Sequence, residues 1–430
     1  MVSRFISYGA FCALAGLIVI APSICLATEA KDPARGGSGL SLEEALSRTF
    51  ARGPELVIAT EELRAAEAEA KLAGRLPNPE LSVSLENVAG DGEYSGTDAA
   101  ELTIELSQPI ELGSKRRLRR EAAELGRQLA VNGETLARAE AQAEISRRFI
   151  AVLAAQEGLA LAREQAELAA KSLSAAEERI KAGKAPALDR LRLQGEASQA
   201  ALEVTRAERT LQTARQKLAA SWGDVHPDFD RVEGDLGLLP EVPAPGVVDA
   251  ALEQSVEALS RRIATELSST ELARARADRL PDASLTVGWR QFEESDENAW
   301  LFGISFPLPL FNQGEEAVAA ASSRYQIARA REESARQQAR LTLRGAWQTL
   351  ADAKSAAELF ASQIVPAATE GYAAAEFGYQ AGKFGLLELL DAQRTLFAVR
   401  QQMLAARTEC HLAAVELHRL QGAQLPVATR

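Results

Sequence analysis

The chain is poor in the side chains on which most catalysis and most thick cores depend. Its 430 residues include only three histidines, three cysteines and two methionines, too few for a soft-metal or imidazole centre. Aromatics make up 5%, which leaves little material for deep globular cores. Basic charge is also short: 48 Lys and Arg stand against 60 Asp and Glu, a formal charge of −12. A dedicated nucleic-acid binder needs a basic face to neutralise phosphates, so the balance argues against that class. No Ser/His/Asp set, phosphate loop or Cys-x-x-Cys occurs, and neither an enzyme nor a cofactor is expected. Beyond the N-terminus no eighteen-residue apolar run appears, so no transmembrane helix follows. Ala, Glu, Arg, Leu and Gln are abundant, and these are strong helix formers.

Arg4 is the only charged residue before Glu29, and Ala10–Ala21 is an apolar core too short to span a bilayer. That pattern reads as a secretory leader over residues 1–27, cleaved after Ala27. Lipidation at Cys25 is the alternative, with Ile24 standing where a small residue is usual. Loss of the leader removes Arg4 and takes the charge to −13. It also leaves Cys410 as a lone thiol that fits helix packing better than nucleophilic chemistry.

The remaining chain is written twice. Arg75–Leu85 (RLPNPELSVSL) answers to Arg279–Trp289 (RLPDASLTVGW), 204 residues on, and Leu102–Leu112 answers to Trp300–Leu310 at 198. Ala182-Gly183-Lys184 answers to Ala381-Gly382-Lys383, and Gly223 to Gly422, both at 199. Such a series indicates duplication. The expected organisation is a first repeat over 28–222, a Pro-rich joint over 223–246, a second repeat over 247–422 and a tail over 423–430.

Each repeat has one grammar. A helical stretch, about 42–72 or 248–279, ends at a proline. Two segments of period-two alternation follow, which predict strands over about 80–88 and 99–108, then 283–292 and 298–307. Acidic, turn-like loops join them at 87–99 and 291–298, so each pair reads as a hairpin. Beyond Pro109 a proline-free run over 110–185 predicts a helix of about 65 residues, on the order of 100 Å, and 310–365 beyond Pro309 is equally free of proline. Helices of that length need other helices along their whole extent. Each run turns at the Ala-Gly-Lys site and a second helix returns, over 187–222 and 386–421.

Four alternating strands suit lipid on one face and water on the other, but known membrane barrels begin at about eight strands. An open edge in hydrocarbon is too costly to keep, so a membrane reading requires a barrel shared between copies. Three copies supply twelve strands, and ring symmetry closes them.

The order of helix, Leu76-Pro-Asn-Pro-Glu-Leu81, strand pair, Gln108-Pro-Ile-Glu-Leu-Gly-Ser-Lys-Arg116, long helix, Gly turn and helix, repeated through Pro307-Leu-Pro-Leu-Phe-Asn-Gln-Gly314, resembles the TolC family of outer-membrane efflux channels. The Pro-Asn-Pro and Leu-Gly-Ser-Lys-Arg forms are similar to its heavy-metal, CzcC/CusC-like branch. The resemblance covers about 40–422. It implies a mainly α fold with a β-barrel part: a homotrimer with a twelve-strand barrel in outer-membrane lipid and a periplasmic helical barrel. It also implies docking onto a periplasmic adaptor and an inner-membrane RND pump, and export of heavy-metal cations.

The segment Tyr379–Asp391 resembles the family's tip, where acidic residues six and nine places after the glycine line the periplasmic entrance; Glu388 and Asp391 hold those places. Three residues apart, they project from one helix face, and threefold symmetry would ring the mouth with carboxylates that favour cations. The bland alternative is a solvated helix face. In the first repeat Asp189 and Arg192 occupy the two places, and Arg192 is expected to pair with Asp391 or Glu388 of a neighbouring helix. Gly183 and Gly382 would allow tight turns. The resemblance makes Arg179, Lys181, Lys184 and Lys383 candidate adaptor contacts. His411 and His418, seven apart, are too far separated for one metal ion. Two rival functions remain: a duct for drugs or other small organic molecules, and a periplasmic coiled-coil adaptor or scaffold.

Overall fold

The computed structural model describes residues 39–183, 185–244, 246 and 255–421. The expected leader over 1–27, Lys184 and the tail over 423–430 lie outside the described residues.

The first helical stretch is two helices, α1 (Leu42–Arg52) and α2 (Pro54–Ala73), where one was expected. Gly53 interrupts it in an extended conformation, and Pro54 starts the second helix at a position where its missing N–H costs nothing. Ser41 caps α1 by accepting from the Glu44 N–H. After β1 (Glu80–Glu86) and β2 (Glu101–Ile110), α3 runs unbroken over 67 residues, Lys115–Lys181, and α4 (Ala187–Ala219) returns.

The second repeat places α5 (Val256–Ala277), β3 (Ala283–Phe292) and β4 (Glu297–Ser305) in the same order. Its outgoing rod is α6 (Glu315–Leu359), one π-turn (Phe360–Ile364) and α7 (Val365–Gln380), and α8 (Leu386–Gln421) returns. The π-turn precedes Pro366, whose missing N–H breaks the α register there.

The strands form one antiparallel sheet in the order β1-β2-β3-β4. Their bounds differ from expectation at three places. β1 stops at Glu86 because Asn87 and Ala89 take positive φ. β2 begins two residues late but reaches Ile110. Pro109 fits there because β1 pairs no further than Ser107, so one side of that stretch has no neighbour. β4 spans Glu297–Ser305 and stops before Pro307. Every charged residue of the four strands, Glu80, Glu86, Glu101, Glu105, Arg290 and Glu297, has the same parity in the register and lies on one face. The opposite face is apolar in continuous rows: Leu81, Leu106, Val287 and Phe302, then Val83, Ile104, Trp289 and Trp300. Phe302 is 80% exposed and Trp300 67%, a cost no water-facing sheet would sustain.

Among the described residues three small cores hold the helices. The largest packs α1 and the 222–236 segment onto the middle of α3, with Leu40, Ile145, Val152, Leu218 and Leu236 almost fully buried. Gln156 fastens the segment by donating to the Val232 carbonyl at 3.1 Å and accepting its N–H at 2.8 Å. A second core joins α6 and α8 through Leu350, Cys410 and Leu417. The third, at the far end, holds Ala176, Leu193, Leu386 and Leu390.

The Leu-Gly-Ser-Lys-Arg stretch is the joint between sheet and helices. Gly113 and Ser114 both take positive φ, turning the chain sharply from β2 into α3. Lys115 then pairs with Asp282 of the second repeat at 2.8 Å, and Asp282 also accepts the Leu112 N–H at 3.0 Å. Arg116 and Arg119 donate to carbonyls at the C-terminal end of α2, those of Ala73 and Gly74.

Candidate functional site: the hairpin tips

At the tip of the second hairpin, α7 ends in a paired-bond turn. Gly382, at φ +71, donates to the Tyr379 carbonyl at 3.1 Å, and Lys383 donates to that of Gly378 at 2.8 Å. Phe384 lies so tightly on Gly378 that a Cβ there would clash with its ring. The first hairpin repeats the turn at Gly183, φ +69, whose N–H donates to the Ile180 carbonyl at 2.9 Å.

Glu388 and Asp391 are both exposed, on the first two turns of α8. Glu388 is the third residue of its helix, and Asp189 is the third of α4. A carboxylate in a first turn favours the helix start by meeting its unpaired N–H groups. Asp189 is buried, unlike Glu388. Arg192 is exposed, and among the described residues it forms no ion pair with Glu388 or Asp391 inside the protomer. The ion pair that crosses between repeats here joins Arg394 of α8 to Glu196 of α4. Asp391 lies close enough to Arg394 to help hold its guanidinium above the ordinary value, after the larger effect of Glu196.

The basic residues divide. Lys383 is exposed. Lys181 pairs with Glu178 at 2.7 Å, which raises its ammonium above the ordinary range. Arg179 is not free: it stacks 4.4 Å from the Tyr379 ring centre and donates to the Tyr379 carbonyl at 3.0 Å. This clasp and the Arg394–Glu196 pair were missed in the sequence, yet a signal was there. Their partners are 200 and 198 positions apart, the duplication offset. Two hairpins of equal reach lying side by side bring equivalent positions to one height.

The remaining candidate groups sit in packing. Cys410 is fully buried, and burial pushes its thiol up. His411 meets the Leu236 carbonyl at 3.2 Å, and burial lowers both His411 and His418.

A family profile described as outer membrane efflux protein matches residues 45–224 and 247–423. The chain belongs to that family. It is 33% identical over 392 residues to the cobalt-zinc-cadmium resistance protein CzcC of Cupriavidus metallidurans, covering 91% of this chain and 92% of that one. It is 28% identical over 315 residues to the nickel-cobalt-cadmium resistance protein NccC of Alcaligenes xylosoxydans xylosoxydans, covering 70% and 68%. The outer membrane protein VceC of Vibrio cholerae shares the fold with a TM-score of 0.74 at 18% identity, over 90% of this chain and 97% of that one. The TolC-like fold is thereby established, and with it an outer-membrane efflux channel carrying a long periplasmic helical extension. The outer membrane efflux protein family is one of ducts, and the scaffold and adaptor readings fall away.

Proposed function

We propose that three copies of the chain close a twelve-strand barrel in the outer membrane and serve as the exit duct of a tripartite efflux system for heavy-metal cations. The leader over 1–27 is removed on export. The tips dock onto a periplasmic adaptor, with the Gly183 and Gly382 turns, Lys184 and Lys383 among the contacts, and an RND pump in the inner membrane supplies the energy. The duct itself performs no chemistry.

The observation that carries this reading is the sheet. It has an apolar face fit for lipid, a charged face on the other side, and two outer edges, β1 and β4, without a strand partner among the described residues. In hydrocarbon each unpaired backbone group costs several kcal/mol, so β4 of one copy must find β1 of the next. The cargo assignment rests on the likeness to CzcC over nine-tenths of both chains. At the tips, Glu388 and Asp391 of three copies give six exposed carboxylates near one mouth, a field that draws cations in.

Deletion of the gene in its host should sensitise cells to cobalt, zinc or cadmium and leave tolerance to dyes and antibiotics unchanged. The opposite pattern would assign an organic cargo to the same duct.

A further inference from the structure

Arg290 is the lone cation among the six charged residues of the sheet. It sits on β3, opposite Thr103 of β2 and Ala299 of β4. Its Nε donates to Thr103 Oγ1 at 2.9 Å, its Nη1 to Glu101 Oε2 at 2.9 Å, and its Nη2 lies 3.8 Å from Glu86 Oε2. Glu101 and Glu86 face each other directly across the β1–β2 ladder. Like charges in that position repel, and Arg290 lies two residue pairs further along the strands on the same face, where its fork reaches toward both. Asn87 completes the group by donating to Glu101 Oε1 at 3.0 Å. Beyond this row the chain only becomes more acidic. The loops over 87–100 and 293–296 carry Asp91, Glu93, Asp98, Glu293, Glu294 and Asp296 and no Lys or Arg.

We propose that Arg290 is a selectivity-determining residue at the outer exit of the duct, counter-charging the Glu86–Glu101 row so that an exported divalent cation passes it without being retained. The proposal rests on the shared-barrel reading, in which the charged face lines the lumen. A conducting path must bind its ion weakly enough to release it. Three copies bring nine carboxylates, from Glu86, Glu101 and Glu297, into one row of the barrel, and six of them, from Glu86 and Glu101, lie within reach of Arg290. Left uncompensated, they would form a ring with high affinity for divalent cations at the last step of export. Three guanidinium groups, each bonded to Glu101 and 3.8 Å from Glu86 of its own protomer, offset part of the charge that would otherwise face the ion. Thr103, only 2% exposed, and Asn87 hold the arrangement from either side, so the guanidinium does not depend on free rotation to find its partners. The residue does not touch the cargo in this arrangement; it positions charge along the path.

Purified trimer in a planar bilayer tests the proposal, with KCl gradients and zinc or cadmium chloride added to the loop side. In R290Q the reversal potential should move toward the cation limit. Block by the divalent ion from that side should appear at concentrations that leave the wild type open. R290K should restore the wild-type potential in part, since it returns the charge without the fork. E86Q/E101Q should shift the potential the opposite way, toward anions, and provides the test if R290Q assembles poorly. R290Q trimers whose reversal potential and loop-side block both match the wild type would overturn the proposal. These readouts use added ions and do not depend on physiological cargo. Loss of the metal-sensitivity phenotype with the block intact would therefore count against the cargo reading alone, and monomeric protein would count against the shared barrel.

Discussion

Glu388 and Asp391 stand one turn apart on an exposed face, and among the described residues no ion pair holds Glu388. At this scale the entrance is a matter of charge near a mouth, so the consequence is electrical. In a planar bilayer the trimer should prefer cations, and the E388A/D391A variant should lose part of that preference and of its block by divalent ions added at the tip side. Water and salt screen charges in a wide mouth over about 8 Å at physiological strength, so a narrow resting mouth makes the effect larger. Unchanged selectivity in an assembled double variant would place both carboxylates on an outer, solvated face. Arg179 carries a different lesson. By composition it looks like any exposed basic residue at a turn, but the ring of Tyr379 and its carbonyl hold it in place. Its substitution should disturb the tip before it disturbs a partner.

Among the elements, the strands and long helices were legible because their periods differ so clearly. Alternation of Leu81, Val83 and Leu85 with serines allows little but a two-faced strand. Ends were less legible. The positive φ at Asn87 and Ala89 cuts β1 short although neither is glycine, and Pro109 is admitted to β2 only because its flank is unpaired. The break at Gly53-Pro54 was written in the sequence as a Gly-Pro pair but hidden inside a long helical composition. The joint between sheet and helices was legible as a motif and not as a mechanism. Lys115 and Asp282 belong to different repeats, 167 positions apart, and no local pattern joins them. The Lys115 side chain is 11% exposed and Asp282 42%, so the pair is only partly desolvated. Burial opposes the charged form of Asp282, yet the bonds from Lys115 and the Leu112 N–H hold its pKa below the ordinary value. D282A should therefore cost about 1 kcal/mol in stability, since exposure screens part of the interaction. K115M/D282A should cost less than D282A alone, because it leaves no buried ammonium without a partner. Denaturant or thermal unfolding of the detergent-solubilised protein reads both. Equal losses in the two variants would mean that the joint is held by the positive-φ turn at Gly113 and Ser114 and not by the ion pair.

For the whole molecule, duplication explains both the economy and the incompleteness of the chain. Two repeats place two hairpins of strands at one end and two helical hairpins at the other, and matching heights meet across the repeats at the tip. What two repeats cannot do is close the sheet. Four strands leave β1 and β4 with open ladders, an apolar face carries Phe302 and Trp300 outward, and no helix among the described residues is long and apolar enough to cross a membrane. Closure by identical copies satisfies the edges and the apolar face together. The most direct measurement is the native mass of the mature protein extracted from outer membranes in mild detergent. Three chains per particle, with no protein released from the cells in a detergent-free periplasmic fraction, is the predicted result. A monomer that is soluble without detergent would contradict the shared barrel.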